Sequence, residues 1–164
     1  MAQRLVLSDA SPLIALALVE RLDLLRSLFG EISITEIVKA EVLGDGSKPG
    51  TASIAAAVQA AWLRVIPDAW PLPQFPALDE GEASILRAAI NLGVPCLVLI
   101  DERAGRAVAK ELGVAMAGTV GLIVLAKKRG LIPSARAAFA ELLEKDFRIG
   151  AEMIRAALVQ AGED

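Results

Sequence analysis

Two short stretches of this chain are apolar at every position: Leu5-Val6-Leu7, running through Ser8 to Asp9, and Cys96-Leu97-Val98-Leu99-Ile100, running into Asp101. A strand with one wet face alternates apolar and polar residues. A strand covered on both faces does not, and these runs are of the second kind. Each is followed by a helix signal. Ser11 and Pro12 fit an N-cap and a first helical residue behind the first run, and residues 102–112, stopped by Gly113, follow the second. Strands that must return by way of helices pair in parallel, so these runs alone restrict the chain to the α/β class.

The remaining punctuation agrees. Residues 32–34 form a short strand, and Thr35 caps a helix carrying Glu41. An alanine-rich helix over 52–61 leads to a third strand over 63–66. Pro67, Pro71, Pro73 and Pro76 then make an extended connector, which Trp70 and Phe75 dock onto the body. Asp79 caps a helix over 80–92, a fifth strand spans 114–117, and helices follow over 119–129, 133–145 and 150–161. The expected architecture is a three-layer α/β/α sandwich around a parallel sheet of about five strands, with residues 1–164 as one domain.

The acidic residues are placed unusually for such a fold. Asp9 and Asp101 stand at strand carboxyl ends, where open parallel sheets collect ligands. Glu41 follows Ile37 and Val38, and Glu82 precedes Ile85, Leu86 and Ala89, so both occupy helix stripes expected to be apolar. A buried carboxylate without a partner costs several kcal/mol, and a cation, a metal or a proton must compensate it. Ordinary uses exist for each acid taken singly. Asp101 fits a cap on the following helix, Asp79 with Glu82 fits a capping box, Glu41 fits a pair with an arginine, and Asp9 fits a turn with Ser11. Their convergence on one sheet edge favours a magnesium-type site.

Composition narrows the chemistry. The chain has no histidine and one cysteine, which removes Ser-His-Asp and Cys-His catalysis, histidine ligands and disulfides, and leaves Cys96 as core filler. Hydrolysis here rests on carboxylates with a hard metal. A net charge of −3 argues against broad electrostatic binding of nucleic acid, though not against a local basic rim. No apolar run reaches the roughly 18–20 residues of a membrane span, and the N-terminus lacks a secretory pattern, so a cytoplasmic protein without a membrane partner is expected. Mean hydropathy of +0.54 with few aromatics points to apolar surface covered by a protein partner or a homo-oligomer.

Taken in order, Ser8-Asp9-Ala10-Ser11-Pro12-Leu13, the Glu41 helix, Leu78-Asp79-Glu80-Gly81-Glu82-Ala83 and Ile100-Asp101-Glu102-Arg103 through Arg106 resemble the motifs of PIN domains. Gly118-Thr119-Val120-Gly121-Leu122 and the segment 126–132 resemble a bacterial and archaeal branch related to VapC toxins. The resemblance spans nearly the whole chain. It implies a Mg2+- or Mn2+-dependent ribonuclease, an RNA substrate and a cognate antitoxin protein. Carried over, it makes Asp9 and Asp101 the firmest metal ligands, with Glu41 and Glu82 orienting water or completing the shell. Glu82 stands where many PIN domains carry Asp, and Glu102 where a second Asp is expected.

Around that centre, Ser11, Glu102, Arg103, Arg106 and Thr119 are candidates for outer contacts or RNA contacts. Each has a plainer use: an i,i+4 ion pair for Glu102 and Arg106, a solvated face for Arg103, and capping for Ser11 and Thr119. The competing functional reading is a non-catalytic PIN-like interaction module. A receiver-like signalling domain fits poorly, because residues 65–67 lack the aspartate, and residues 117–119 the lysine, that such a site needs after its third and fifth strands.

Overall fold

The computed structural model describes residues 4–163, so residues 1–3 and 164 of the expected domain lie outside it. The elements run β1 (Leu5–Ser8), α1 (Ala10–Leu18), α2 (Asp23–Phe29), β2 (Ile32–Thr35), α3 (Glu36–Leu43), α4 (Thr51–Gln59), β3 (Leu63–Ile66) and α5 (Glu80–Asn91). They continue with β4 (Cys96–Leu99), α6 (Arg103–Glu111), β5 (Ala115–Ala117), α7 (Thr119–Lys128), α8 (Ala135–Glu144) and α9 (Ala151–Gln160). All strand pairs are parallel, in the order β3-β2-β1-β4-β5. The three-layer α/β/α sandwich expected from the apolar runs is the fold of the chain.

Strand burial follows position. Leu7, Ile32, Ile34, Val98 and Leu99 are fully buried on the inner strands, whereas the edge strand β5 is largely accessible. Gly113, expected to stop a helix, adopts positive φ, as do Gly30, Gly93 and Gly130 after other helices. Among the described residues no helix is long and apolar enough to cross a membrane.

The strand order matters for function. The chain builds outward from β1 through β2 to β3, then returns to place β4 on the other side of β1, so sheet order reverses between β1 and β4. Helices diverge at such a point and leave a crevice beyond the strand ends. Register puts Ser8 opposite Leu99, and the Asp9 amide donates to the Leu99 carbonyl at 2.9 Å. Asp9 and Asp101 therefore emerge on either side of this crevice.

Helix α1 starts two residues earlier than its sequence suggests. Asp9, not Ser11, is the N-cap, because the last sheet hydrogen bond is made by Asp9 itself and the chain turns at once. The Asp9 side chain makes no capping bond and stays available. Thr35 and Asp79 cap as expected, accepting from the amides of Val38 at 3.2 Å and Glu82 at 2.8 Å. A buried relay then fixes α5 against the sheet: the Thr35 and Ser84 hydroxyls lie 2.7 Å apart, and Ser84 donates to the Gly81 carbonyl at 2.7 Å. The first turn of α5, with Gly81 and Glu82, is held in place by hydrogen bonds rather than by apolar contact alone.

The proline-rich connector is tied down from α5. Trp70 and Phe75 pack on the core, and Asn91 Nδ2 donates to the Leu72 carbonyl at 2.9 Å. Arg87, 7% exposed, pairs with Asp68 at 3.4 Å and Glu80 at 3.8 Å. Removing one partner of a sequestered pair costs more than the pair contributes, because the remaining charge stays desolvated. Arg87→Ala is expected to lower stability by roughly 2–3 kcal/mol, seen as a drop in Tm of about 5–10 °C in thermal unfolding. A change under about 1 °C would mean that the connector is held by its aromatic anchors alone.

Candidate functional site

Four of the acids expected at the sheet edge come from four separate segments: Asp9 at the β1–α1 turn, Glu41 on α3, Glu82 in the first turn of α5 and Asp101 after β4. The structure adds a fifth, Asp79, which the sequence marked only as a cap. Asp9, Glu41 and Asp79 line one cleft of about 250 Å³ together with Ser11 and Glu102. Ile14, Leu18 and Phe147 supply its apolar wall.

Asp9 is 4% exposed and its Oδ1 is buried without a hydrogen-bond partner; Glu82 is also 4% exposed, with Oε2 in the same condition. The five ion pairs among the described residues involve Arg21, Arg64, Arg87 and Lys127. None reaches Asp9, Glu41, Asp79, Glu82 or Asp101. Carboxyl oxygens this deep are ordinarily satisfied, so two orphans in one acid cluster call for a proton or a cation.

Titration follows from this placement. Burial is the main cause that pushes the Asp9 carboxyl up to about 7; the nearby Ala10 amide acts in the opposite direction, and the charges of Asp79, Glu41 and Asp101 add to the rise. Burial also holds Glu82 well above the usual carboxylate range, followed by its hydrogen bond to the Asp79 side chain and the charges of Asp79 and Asp9. Glu41 is raised by burial and then by Asp79. Such shifts cluster where a site is built to receive positive charge.

Backbone close approach completes the cradle. At Gly81 an added Cβ would strike the Glu41 carboxylate and lie 3.2 Å from Asp9 Oδ1. At Gly105 it would strike Glu82 Oε2 and the Ile100 side chain. Glycine interrupts helices at a cost near 1 kcal/mol, and both positions lie within helices. Their use here is to let the backbones of α5 and α6 press against carboxylates.

Asp101 is held differently. Its Oδ1 accepts from the Thr119 amide and its Oδ2 from the Thr119 hydroxyl, both at 2.7 Å. It therefore secures the start of α7, not α6, and Thr119, fully buried, orients Asp101 rather than facing the cleft. A carboxylate oxygen has two lone pairs, so acceptor capacity remains.

Several expectations are corrected. Glu41 is exposed at the cleft mouth, since α3 buries only Val38 and Val42 and turns Glu41 aside. Glu102 and Arg106 form no ion pair, because Arg106 Nη1 donates to the Ile100 carbonyl at 3.2 Å while Glu102 faces the Asp9 cleft. Arg103 and Arg106 line a different, neighbouring cleft with Asp101. Among the described residues no three acids already form a metal cage. Carboxylates that repel one another across a cleft stand apart, and the orphaned oxygens together with the glycine cradle fit a hard divalent cation.

These observations carry a pH prediction. A carboxyl whose folded pKa is raised retains its proton where the unfolded chain has lost it, so its stabilisation is complete below about 4 and is lost as pH rises through about 7. Cation-free protein is expected to lose roughly 2–4 kcal/mol between pH 5 and pH 8 from Asp9, as a fall in Tm of about 5–10 °C. Asp9→Asn removes the Asp9 share of that slope and leaves the share of Glu82, whose carboxyl is raised as well. A wild-type Tm flat over this range would contradict the burial of an ionisable Asp9.

A parallel α/β sheet with acids gathered at its switch point is compatible with a nuclease-type fold. A family model described as the PIN domain matches residues 5–163, and the chain belongs to the PIN-domain family. No curated protein matches the chain.

Proposed function

We propose that the chain is a divalent-metal-dependent endoribonuclease, using Mg2+ or Mn2+ to hydrolyse RNA phosphodiesters, and the toxin half of a toxin-antitoxin pair. The observation that carries the chemistry is the pair of orphaned, buried carboxylates, Asp9 and Glu82, with no cation among the described residues within ion-pairing distance. Asp9, Glu82 and Asp101 hold the ion, with Thr119 fixing the orientation of Asp101. The ion supplies a more acidic water and charge that stabilises the phosphorane oxygens. Glu41 at the cleft mouth orients the attacking water, and Ser11 and Glu102 border its approach. The toxin assignment and the cognate antitoxin rest on the likeness to the VapC branch.

A second reading, a non-catalytic interaction module, draws on the hydrogen bonds that occupy both Asp101 oxygens and on the lack of a ready-made cage among the described residues. Incubation of total RNA with Mn2+, Mg2+ or a chelator separates the two. The nuclease reading expects cleavage that requires metal and is lost in Asp101→Asn with the fold retained. Intact RNA under all three conditions, with protein binding unaffected by Asp9→Asn, supports the module. For the toxin role, induced wild-type protein is expected to arrest growth and Asp9→Asn to permit it.

A further inference from the structure

A second cleft near the acids is lined by just one of them, Asp101. It has a volume of about 600 Å³, lies between α6, β5 and α7, and begins at Asp101. Its wall is apolar, including Phe29, Met116, Val120 and Leu125. Arg103 and Arg106 also line it, and neither has a carboxylate within ion-pairing distance among the described residues. On a chain of net charge −3, two guanidinium groups beside an acidic centre form a local positive rim.

One residue of this cleft has no internal explanation. Gly121 lies in the first turn of α7, where glycine costs near 1 kcal/mol relative to alanine. Its φ is not positive, and an added Cβ would meet nothing within 4 Å. Neither backbone conformation nor packing requires it, in contrast to Gly81 and Gly105. Gly121 is exposed and lines the cleft, so its missing side chain leaves that part of the wall open.

We propose that this cleft seats an unpaired nucleotide of the RNA next to the scissile phosphate, its base on the apolar wall over Gly121 and its phosphate on Arg103 and Arg106. The proposal rests on the ribonuclease reading, because it takes Asp101 as the point where the strand leaves the acidic centre. The chemistry matches on both sides: an apolar surface receives a base face, and guanidinium forks receive phosphate oxygens. It makes this cleft the place where the enzyme selects its cleavage position.

The test measures binding of a labelled single-stranded RNA pentamer by fluorescence anisotropy in chelator, so that no cleavage intervenes. Gly121→Leu projects a branched side chain into the cleft, and Arg103→Gln with Arg106→Gln removes its charge. Each is expected to weaken binding at least about tenfold, the arginine variant also flattening the salt dependence by about 0.7 of a unit of slope for each phosphate that is no longer neutralised. Gly121→Ala serves as the fold control and is expected to keep or raise Tm. Retention of the Mn2+-induced rise in Tm in all variants shows the acidic centre intact.

Equal RNA affinity of wild type and Gly121→Leu overturns the proposal while leaving the nuclease reading in place. A wild type that neither binds nor cleaves RNA overturns both. A dimer in light scattering that Gly121→Leu dissociates, with RNA affinity unmoved, also overturns it and assigns the cleft to contact between copies of the chain.

Discussion

Asp9→Asn is expected to eliminate metal-dependent RNA cleavage while making the metal-free protein more stable at pH 8. Both effects arise from one carboxyl group. Asp9 is 4% exposed, has an orphaned Oδ1 and titrates at about 7, so at pH 8 the fold carries an ionised group in surroundings that oppose it. Asparagine is nearly isosteric and neutral, and removes that cost without leaving a void. It also removes a charge from the proposed ion site. Losing even a group that merely orients a ligand costs about 10–100-fold, so the loss of cleavage is set at no less than about 100-fold. The gain in Tm at pH 8 is the reverse of the pH slope, about 5–10 °C. A variant that is both inactive and less stable would point to a structural role for Asp9.

Gly81→Ala is expected to separate fold from function more sharply still. In an exposed helix interior this substitution stabilises by about 0.5–1 kcal/mol. Here the new methyl meets the Glu41 carboxylate, the far end of a flexible and exposed side chain, and lies 3.2 Å from the buried Asp9 Oδ1, which has to give by only a few tenths of an ångström. Glu41 swings out, the helix keeps its propensity gain, and the cleft loses one carboxylate and some of its space. Tm in chelator is expected to stay level or rise, while the Mn2+-induced rise in Tm, about 2.7 kcal/mol at one hundred times Kd, falls by more than half. An unchanged Mn2+ response would show that Glu41 and the space beside Gly81 take no part in binding the ion.

How far the sequence reveals this arrangement depends on whether the signal is local. The third strand, residues 63–66, is legible to the residue, because Leu63, Val65 and Ile66 stand between an alanine-rich helix and Pro67. Asp9 and Asp101 are legible because uninterrupted apolar runs fix where the strands end. Glu82 is legible as an acid on an inward stripe. The start of α1 is not, since Ser11-Pro12 is a good local cap and only the Asp9 to Leu99 hydrogen bond across the sheet overrides it. The Glu102–Arg106 pair fails for the same reason: a carbonyl at the end of the neighbouring strand takes the guanidinium.

The residues that sequence reasoning passed over share a further property. Asp79 does serve as the expected cap, and nothing local says that a capping carboxylate also lines a cleft with Asp9 and Glu41. For Gly81 and Gly105 a signal did exist. Each is a glycine inside a helical pattern, costly unless another group must come close, and the group in each case is a carboxylate from elsewhere in the chain. Such glycines, read together with acids at strand ends, would have drawn the cradle more completely than the acids alone.

The account depends most on a divalent ion replacing protons at the buried acids, and calorimetric titration of Mn2+ at pH 7 in buffers of different ionisation enthalpy measures this directly. Binding is expected to release about one proton from wild type, since Asp9 is near half-protonated there and Glu82 is more so, and less from Asp9→Asn. Binding with no proton release, or equal affinity in wild type and Asp9→Asn, would contradict it.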